Sequence, residues 1–182
     1  MDSFPAIEID KVKAWDFRLA NINTSECLNV AYGVDANYLD GVGVSITSIV
    51  LNNRHINLDF YIIADVYNDA FFQKVAKLAE QYQLRITLYR INTDKLQCLP
   101  CTQVWSRAMY FRLFAFQLLG LTLDRLLYLD ADVVCKGDIS QLLHLDLNGA
   151  VAAVVKDVDP MQEKAASRLS DPELLGQYFN SG

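Results

Sequence analysis

The alternation of strand-like apolar runs with helix-like segments is the feature that most constrains this chain. The predicted strands are residues 27–34, 58–65, 84–91, 125–129 and 150–155. The predicted helices are residues 39–51, 68–83, 105–120 and 161–170, with a short helical turn at 139–145. Strands that alternate with helices favour parallel pairing, because each helix carries the chain back to the starting edge of the sheet. The sequence therefore predicts an α/β fold in which helices flank a mostly parallel central sheet.

The remaining segments set the expected domain organisation. Residues 1–26 are polar and predict an N-terminal arm with one short helix, whereas residues 92–104, which contain Pro100, predict a loop. A length of 182 residues suits one domain or one large lobe. We therefore expect residues 27–182 to form a single lobe that follows the arm.

Individual residues indicate where helices begin and end, and where the backbone is closely approached. Asn68 is a candidate N-cap, and Gly120 closes an apolar helix. Gly41 and Gly43 lie early in the helix 39–51, where a missing side chain predicts close contact with backbone or ligand.

Charge and hydropathy exclude several classes of protein. The net charge is -6 and the sequence pI is about 4.8, which argues against broad nucleic-acid binding because that requires a basic surface. No apolar run reaches the roughly 18 residues that span a bilayer. The N-terminus lacks a signal-peptide pattern. We therefore expect the chain to stay on the cytoplasmic side.

The cysteines offer one candidate metal or redox motif. Cys98 and Cys101 form a C-x-x-C, but the sequence has no second pair, and its two histidines, His55 and His144, lie far away. A redox motif of this kind would follow an early strand and begin a helix. Reduced thiols without a metal are the favoured interpretation.

Aspartates lie where several of the predicted strands end. They are Asp35, Asp65, the pair Asp130 and Asp132, and Asp157. Because the carboxyl ends of parallel strands form one edge of a sheet, this pattern places several carboxylates beside the ligand crevice of an α/β fold.

The pair Asp130 and Asp132 carries the most specific chemistry. Residues one apart in an extended segment point the same way, so two carboxylates could converge on one point. Such charges repel unless a cation or proton is shared, and Mg²⁺ or Mn²⁺ prefers oxygen ligands completed by phosphates and water. Two alternatives stay open: a turn with solvated aspartates, and paired carboxylates that hydrolyse a glycosidic bond. Apolar residues on both sides of the pair favour a metal, because an unpartnered charge there is costly.

Four segments together resemble glycosyltransferase family 8, the retaining nucleotide-sugar transferases with a GT-A fold. They are NVAYGVDANYLDGVGVSITSIVLNN at 29–53, SRAMYFRLFAFQLLG at 106–120, LLYLDADVVCKGDI at 126–139 and GQYFNSG at 176–182. The resemblance is strongest to members that build the bacterial lipopolysaccharide core. It implies that residues 27–182 are a GT-A nucleotide-binding lobe. It also implies transfer of glucose from UDP-glucose to an outer-core hexose in an α-1,2 linkage, or of galactose from UDP-galactose.

The resemblance also implies a role for each matching position. The uridine turn corresponds to Gly33, Val34, Asp35, Ala36, Asn37 and Tyr38. Gly33 would let the base lie against backbone, and Asp35 would accept from the uracil imide or a neighbouring amide. Asp130 and Asp132 match the metal pair that bridges the diphosphate, with Ala131 at the ribose. An ordinary strand exit is the alternative for the uridine turn.

Other matching positions would lie near the transferred sugar. Arg112 matches an arginine near the donor sugar and diphosphate, with Arg107 a weaker second candidate; a helix arginine that reaches to solvent is the alternative for Arg112. Asp157 matches an acceptor-side carboxylate, and Asn180 and Gly182 match the segment that lines the donor sugar.

Members of the family continue beyond the segment that matches residue 182. The later part supplies a third metal ligand, a lysine to the diphosphate and a basic tail. We therefore expect a truncated chain with weak metal binding, little transfer activity alone, and a peripheral contact with the bacterial inner membrane through the missing part.

Two functions of other classes remain as rivals. A nucleotidyltransferase on a similar lobe would need a phosphate-binding loop rich in glycine and lysine, and no G-x-x-x-x-G-K is present. A non-catalytic binding module would use the aspartate pair only to anchor a loop.

Overall fold

The computed structural model describes residues 7–18, 26–101, 106–169 and 178–179. The strands are β1 Ile9–Asp16, β2 Cys27–Val34, β3 Asn57–Ala64, β4 Arg85–Ile91 and β5 Leu127–Tyr128. The helices are α1 Leu39–Asn52, α2 Asp69–Tyr82, α3 Phe111–Leu119 and α4 Asp159–Leu169. The chain divides into two compact units, Met1–His144 and Leu145–Gly182, and the sheet belongs to the first.

The five strands form one sheet in the order β1-β4-β3-β2-β5. Strands β2 to β5 run parallel to one another, whereas β1 is an antiparallel edge strand on β4. The predicted α/β fold with a mostly parallel central sheet is therefore confirmed.

The sheet is buried on both faces because helices cover each of them, as the continuous apolar runs of β2 and β3 predict. One face packs against α1 and α2, with Phe60 and Ile62 fully buried there. The other face packs against α3, with Ile63 and Phe114 in that layer. Three layers therefore hold the carboxyl ends of the parallel strands at one edge.

Helices α1 and α2 follow their sequence signals. The Asn68 side chain accepts a hydrogen bond of 2.8 Å from the Phe71 amide, as expected of an N-cap. A Cβ on Gly41 would lie 3.0 Å from the Ala131 carbonyl oxygen, so the predicted close approach is confirmed there. At Gly43 a Cβ would meet nothing within 4 Å, so a close approach by protein backbone is wrong there, and an approach by a ligand stays a prediction.

The predicted arm contains a strand where the sequence predicted a short helix. Ile9–Asp16 pairs with β4, so the described part of the arm is the edge of the sheet. Its polar residues hid this role, because an edge strand at a sheet margin exposes much of its surface; the burial pattern of β1 is mostly exposed and intermediate.

The chain between residues 105 and 129 is less regular than predicted. Residue 105 lies outside the described residues, Arg107–Tyr110 is a 3-10 turn, and α3 is shorter than the predicted helix, although Gly120 ends it as expected. Strand β5 has two residues. The ladder ends because the Gly33 amide donates to the Tyr128 hydroxyl at 3.1 Å, and not to the backbone of β5.

The predicted strand at 150–155 is wrong. These residues have no strand assignment, and Val151 is fully exposed. An apolar run cannot specify whether a neighbouring strand is available to pair with its backbone. The described pairing in this unit is a bridge between Lys156 and Phe179. The predicted helix that follows is confirmed as α4.

A charge network joins the amino ends of the strands. Asp59 of β3 lies 3.1 Å from Arg18 and 3.4 Å from Arg85, and its side chain is only 5% exposed. Arg18 also bonds Asp16, at the end of β1. The network therefore ties the edge strand to the middle of the sheet.

Across the described ranges, no helix combines the length and the hydropathy needed to cross a bilayer.

Candidate active site

The aspartate pair lies immediately after β5, at the carboxyl edge of the sheet. The chain turns there, with the Val133 amide donating to the Asp130 carbonyl at 3.3 Å. The Asp130 side chain is 35% exposed, Ala131 is buried and Asp132 is exposed. The pair therefore lies at the carboxyl edge of the sheet, as its position after an apolar run predicts.

Arg112 is the described cationic partner of Asp130. Its Nη2 lies 3.0 Å from Asp130 Oδ1, while its Nε donates to the Met109 carbonyl at 3.1 Å. The guanidinium also lies over the Tyr128 ring, 5.1 Å from the centroid. A helix arginine that only reaches to solvent would not make these contacts, so that alternative is wrong.

Burial is the largest influence on the pKa of Asp130. It raises the pKa of Asp130, Arg112 opposes the shift, and the nearby charge of Asp132 adds to it. Burial also raises the pKa of the Tyr128 hydroxyl to about 12, so this group stays protonated at neutral pH. Arg112 pairs with Asp130, and the charge of Asp132 acts on Asp130 as well, so the turn carries one more carboxylate than its described arginine partner balances.

The space above Gly33 is occupied by the protein itself. A Cβ there would lie 2.7 Å from the Phe111 Cβ and 2.8 Å from the Tyr128 hydroxyl. The glycine thus lets the start of α3 approach the end of β2. The predicted contact of Gly33 with a base stays a prediction. Its close packing against Phe111 and Tyr128 is enough to explain why a glycine occupies this position.

The turn that follows β2 faces outward. The Asp35 carboxylate accepts a hydrogen bond of 2.9 Å from the Asn37 amide and caps the 3-10 turn Ala36–Tyr38. Val34 is buried at the end of the strand, whereas Tyr38 is 52% exposed. The exposed surface of the turn is free to contact a ligand, and its role in holding uridine stays a prediction.

Helix α1 links this turn to the aspartate pair. It begins directly after the Ala36–Tyr38 turn, and its first residues contact Ala131 through Gly41. At its other end Asn53 is fully buried and bonds the chain that follows the aspartates. Sequence reasoning missed both Tyr128 and Asn53; the double asparagine 52–53 at a helix end was the available signal.

The donor atoms of the pair fit a hard divalent cation. Carboxylate oxygens suit Mg²⁺ or Mn²⁺, which complete their coordination with water and substrate phosphates. Among the described residues, no group of three or more His, Cys, Asp or Glu side chains could hold a metal ion. Asp130 and Asp132 would therefore hold such an ion only in part, with the remaining ligands coming from elsewhere.

The remaining predicted positions have other described contacts or lie outside the described residues. Arg107 donates to the carbonyls of Leu96 and Gln97, so it serves the 92–101 loop. Asp157 lies in the second unit, where its amide donates to the Tyr178 carbonyl at 3.1 Å, and its acceptor-side role stays a prediction. Asn180 and Gly182 lie outside the described residues.

Both cysteines of the C-x-x-C motif are exposed and free. Cys98 donates weakly to the Lys95 carbonyl at 3.5 Å. The favoured interpretation as thiols without a metal stays a prediction.

Sequence comparison assigns a family to most of the chain. A model of the family "Glycosyl transferase family 8" matches residues 29–182. A lipopolysaccharide 1,2-glucosyltransferase of Escherichia coli K12 is 97% identical over all of this chain, which covers 54% of that protein. A lipopolysaccharide 1,3-galactosyltransferase of Salmonella typhimurium is 37% identical over 92% of this chain and 50% of its own length. The chain thus spans about half the length of these relatives.

Solved structures support the fold independently. The bifunctional glycosyltransferase WbbM aligns with a TM-score of 0.67 at 21% identity, over 91% of this chain and 32% of that one. The galactosyltransferase LgtC, solved with donor and acceptor sugar analogues, aligns with a TM-score of 0.67 at 19% identity, over 78% and 51%. The expected GT-A fold is therefore confirmed.

Proposed function

The chain belongs to glycosyl transferase family 8, and from this premise we propose that it is the nucleotide-binding lobe of a hexosyltransferase. The whole enzyme moves glucose from UDP-glucose to a hexose of the lipopolysaccharide outer core and forms an α-1,2 linkage with retention. We also propose that the whole enzyme is a peripheral protein at the cytoplasmic face of the inner membrane.

One observation carries this proposal: the turn at the carboxyl edge of the sheet holds two carboxylates, Asp130 and Asp132. The described arginine partner there balances one of the two charges, so one negative charge remains. A site with excess negative charge attracts a divalent cation, and the cation in turn attracts a diphosphate. A non-catalytic module in which the aspartates only anchor a loop would not explain why the turn carries this excess negative charge.

The donor nucleotide would lie along the edge between β2 and β5. The turn Asp35–Tyr38 would contact uridine, and Ala131 the ribose. Asp130 and Asp132 would hold Mg²⁺ or Mn²⁺ together with the diphosphate. When bound, the metal neutralises the charge that develops on the departing diphosphate.

Arg112 would contribute a fixed positive charge near the same diphosphate. Its Nε bond to Met109 and its position over Tyr128 hold the guanidinium in place, so little rotamer freedom is lost when a ligand binds. One of its nitrogens orients Asp130, and others remain to contact phosphate or sugar oxygens.

The transfer step needs little else from this lobe. The acceptor hydroxyl oxygen bonds to the anomeric carbon on the face that the diphosphate leaves, and the carbon–oxygen bond to phosphate breaks. The hydroxyl proton passes to a leaving phosphate oxygen, so no strong general base is required. Asp157 would contact the acceptor, and Asn180 and Gly182 would line the donor sugar.

A galactose donor is the second candidate. The Salmonella relative is named a 1,3-galactosyltransferase and shares 37% identity, so the two sugar specificities occur on closely similar lobes. The 97% identity with a 1,2-glucosyltransferase favours glucose.

The remaining proposals concern the whole protein. Residues 1–26 would act as an arm that adds the edge strand β1 to the lobe of residues 27–182, and transfer by these 182 residues alone would be slight. We assign the membrane contact to a part of the protein outside these 182 residues, which cover about half the length of the curated relatives.

The test has two arms. Calorimetry with UDP, with and without Mn²⁺, should show binding that depends on the metal; metal-independent binding, or none even by the full-length protein, would contradict the proposal. A donor screen with the full-length protein on truncated lipopolysaccharide core should then prefer UDP-glucose. Preference for UDP-galactose would remove the glucose assignment and leave the transferase proposal standing.

A further inference from the structure

A fully buried asparagine at the end of α1 holds the chain that follows the aspartate pair. Asn53 is 0% exposed. Its Nδ2 donates to the Ile49 carbonyl at 2.9 Å and to the Gly137 carbonyl at 3.2 Å, and its Oδ1 accepts from the Ile139 amide at 2.7 Å. The Nδ2 group also donates to Cys135 Sγ at 3.7 Å, and these bonds together account for a buried amide in an apolar layer.

Two more side chains of α1 make bonds of the same kind. Ser48 Oγ accepts from the Cys135 amide at 2.9 Å, and Asn52 Nδ2 donates to the Cys135 carbonyl at 3.1 Å. We call residues 133–139 the post-turn loop. It has no regular secondary structure, so α1 side chains supply partners that a neighbouring strand would otherwise supply.

The same helix reaches the donor site at its opposite end. Gly41 lies against the Ala131 carbonyl, between the two aspartates, and the Asp35–Tyr38 turn leads directly into α1. A helix of 14 residues is about 20 Å long and rigid. One rigid element therefore fixes the nucleotide turn, the aspartate turn and the post-turn loop relative to one another.

We propose that Asn53 is a positioning residue, which sets the geometry of Asp130 and Asp132 toward a divalent cation by fixing the post-turn loop on α1. This inference rests on the proposed function, because it assumes that the aspartate pair holds a metal with UDP. Asn53 acts through backbone groups of the loop and touches neither ligand. Loss of its amide frees the loop and spreads the directions of the two carboxylates.

The test measures how strongly Mn²⁺ promotes UDP binding, expressed as the ratio of UDP affinities with and without the metal. General destabilisation lowers both affinities together, whereas misplacement of the aspartates lowers the ratio. We expect Asn53→Ala to lower the ratio about tenfold, which is typical of a residue that orients metal ligands. Ser48→Ala should lower it by a smaller factor, and it decides the matter alone if the first variant does not fold.

Asn29→Ala is the matched control. Asn29 also donates its amide to a backbone carbonyl, that of Arg125 at 3.2 Å, but it does so at the other end of the sheet. Its loss should leave the ratio unchanged. An equal fall in this control would show a general effect and overturn the proposal.

Amide hydrogen exchange gives a readout that needs no ligand. In Asn53→Ala the amides of Ile139 and Cys135 should exchange faster, and those of β3 should not change. An unchanged loop, or a loosened loop with an unchanged ratio, would overturn the proposal. All variants are compared in the full-length protein. Absence of Mn²⁺-dependent UDP binding in the full-length wild type would overturn this inference together with the proposed function, whereas loss of the effect only in the variants would leave the proposed function standing.

Discussion

Each end of the parallel sheet carries an aspartate bonded to arginine, yet the two pairs differ in charge balance. At the amino end, Asp59 and Asp16 face Arg18 and Arg85, and the Asp59 side chain is 5% exposed. At the carboxyl end, Arg112 pairs with Asp130, whose side chain is 35% exposed, and the exposed Asp132 lies two residues further along the turn.

The charge balance distinguishes a cluster of charged residues that stabilises the fold from one that can bind a ligand. A buried carboxylate needs its charge and lone pairs satisfied within the protein, and the amino end provides this with equal numbers of both signs. The carboxyl end retains an excess carboxylate and access to solvent. We infer that the amino end contributes stability and the carboxyl end contributes an attraction for cations.

The largest expected effect comes from Asp59→Ala. The change leaves Arg18 and Arg85 without their shared buried partner, and breaking such a pair costs about 3 to 5 kcal/mol. Urea unfolding followed by circular dichroism measures the free energy. An unfolding free energy within about 1 kcal/mol of wild type would break the comparison, because the amino end would then not be structural.

Gly33→Ala tests how tightly the carboxyl end is packed. The new Cβ would lie 2.7 Å from the Phe111 Cβ, so we expect a loss of about 1 to 3 kcal/mol from overpacking. Gly43→Ala is the control, because a Cβ there meets nothing and alanine favours a helix. Equal unfolding free energies of the two variants would mean that Phe111 and Tyr128 do not pack tightly against Gly33.

Asp130→Asn should separate binding from stability. Its amide oxygen can still accept from Arg112, so the unfolding free energy should change by about 1 kcal/mol or less. Promotion of UDP binding by Mn²⁺ should fall about tenfold or more, as it should when EDTA removes the metal. Scanning calorimetry measures the unfolding free energy, and titration calorimetry measures UDP binding with and without Mn²⁺. A variant that keeps the full effect of Mn²⁺ would contradict the metal role.

Asp132→Asn sharpens the same test. Its side chain is exposed, so the change should leave stability unaffected while it weakens the effect of Mn²⁺. Equal loss in both variants indicates shared coordination of one ion.

The smallest effect concerns Asp16. The hydrogen bond from Arg18 lowers the pKa of Asp16 below its ordinary value of 3.8. A lowered pKa adds stability that is present above the ordinary value and is lost as the pH falls below it. Because the side chain is 48% exposed, the contribution should stay below about 1 kcal/mol.

Unfolding of wild type and Asp16→Asn at several pH values checks this prediction. The stability difference should be constant near neutral pH and should shrink in acid. A difference that grew in acid would have the wrong sign.

The sequence predicted the elements whose burial alone determines them. Strands β2, β3 and β4 are buried on both faces, and α1 and α2 carry clear caps or apolar stripes, so each is recognisable without its neighbours. Elements that depend on a distant partner were missed. Strand β1 forms by pairing with β4. Whether residues 150–155 form a strand depends on whether another strand is available to pair with them, and they have no strand assignment.

The site shows the same division. Asp130, Asp132 and Arg112 were named from the sequence, and the structure brings Arg112 to Asp130. The roles of Tyr128 and Asn53 could not be predicted, because each bonds backbone groups more than 80 residues away in sequence, at Gly33 and at Gly137 and Ile139. The Asp59 network joins residues 41 positions apart and was missed for the same reason.

The order of the strands also bears on how the chain is assembled during synthesis. Strands β2, β3 and β4 are consecutive and neighbouring, so they can pair as soon as they leave the ribosome. Strand β1 pairs with β4, whose last residue is Ile91, and must remain unpaired until that strand emerges. Strand β1 is therefore translated before β2, β3 and β4 but pairs only after all three have emerged, and it closes the free edge of β4.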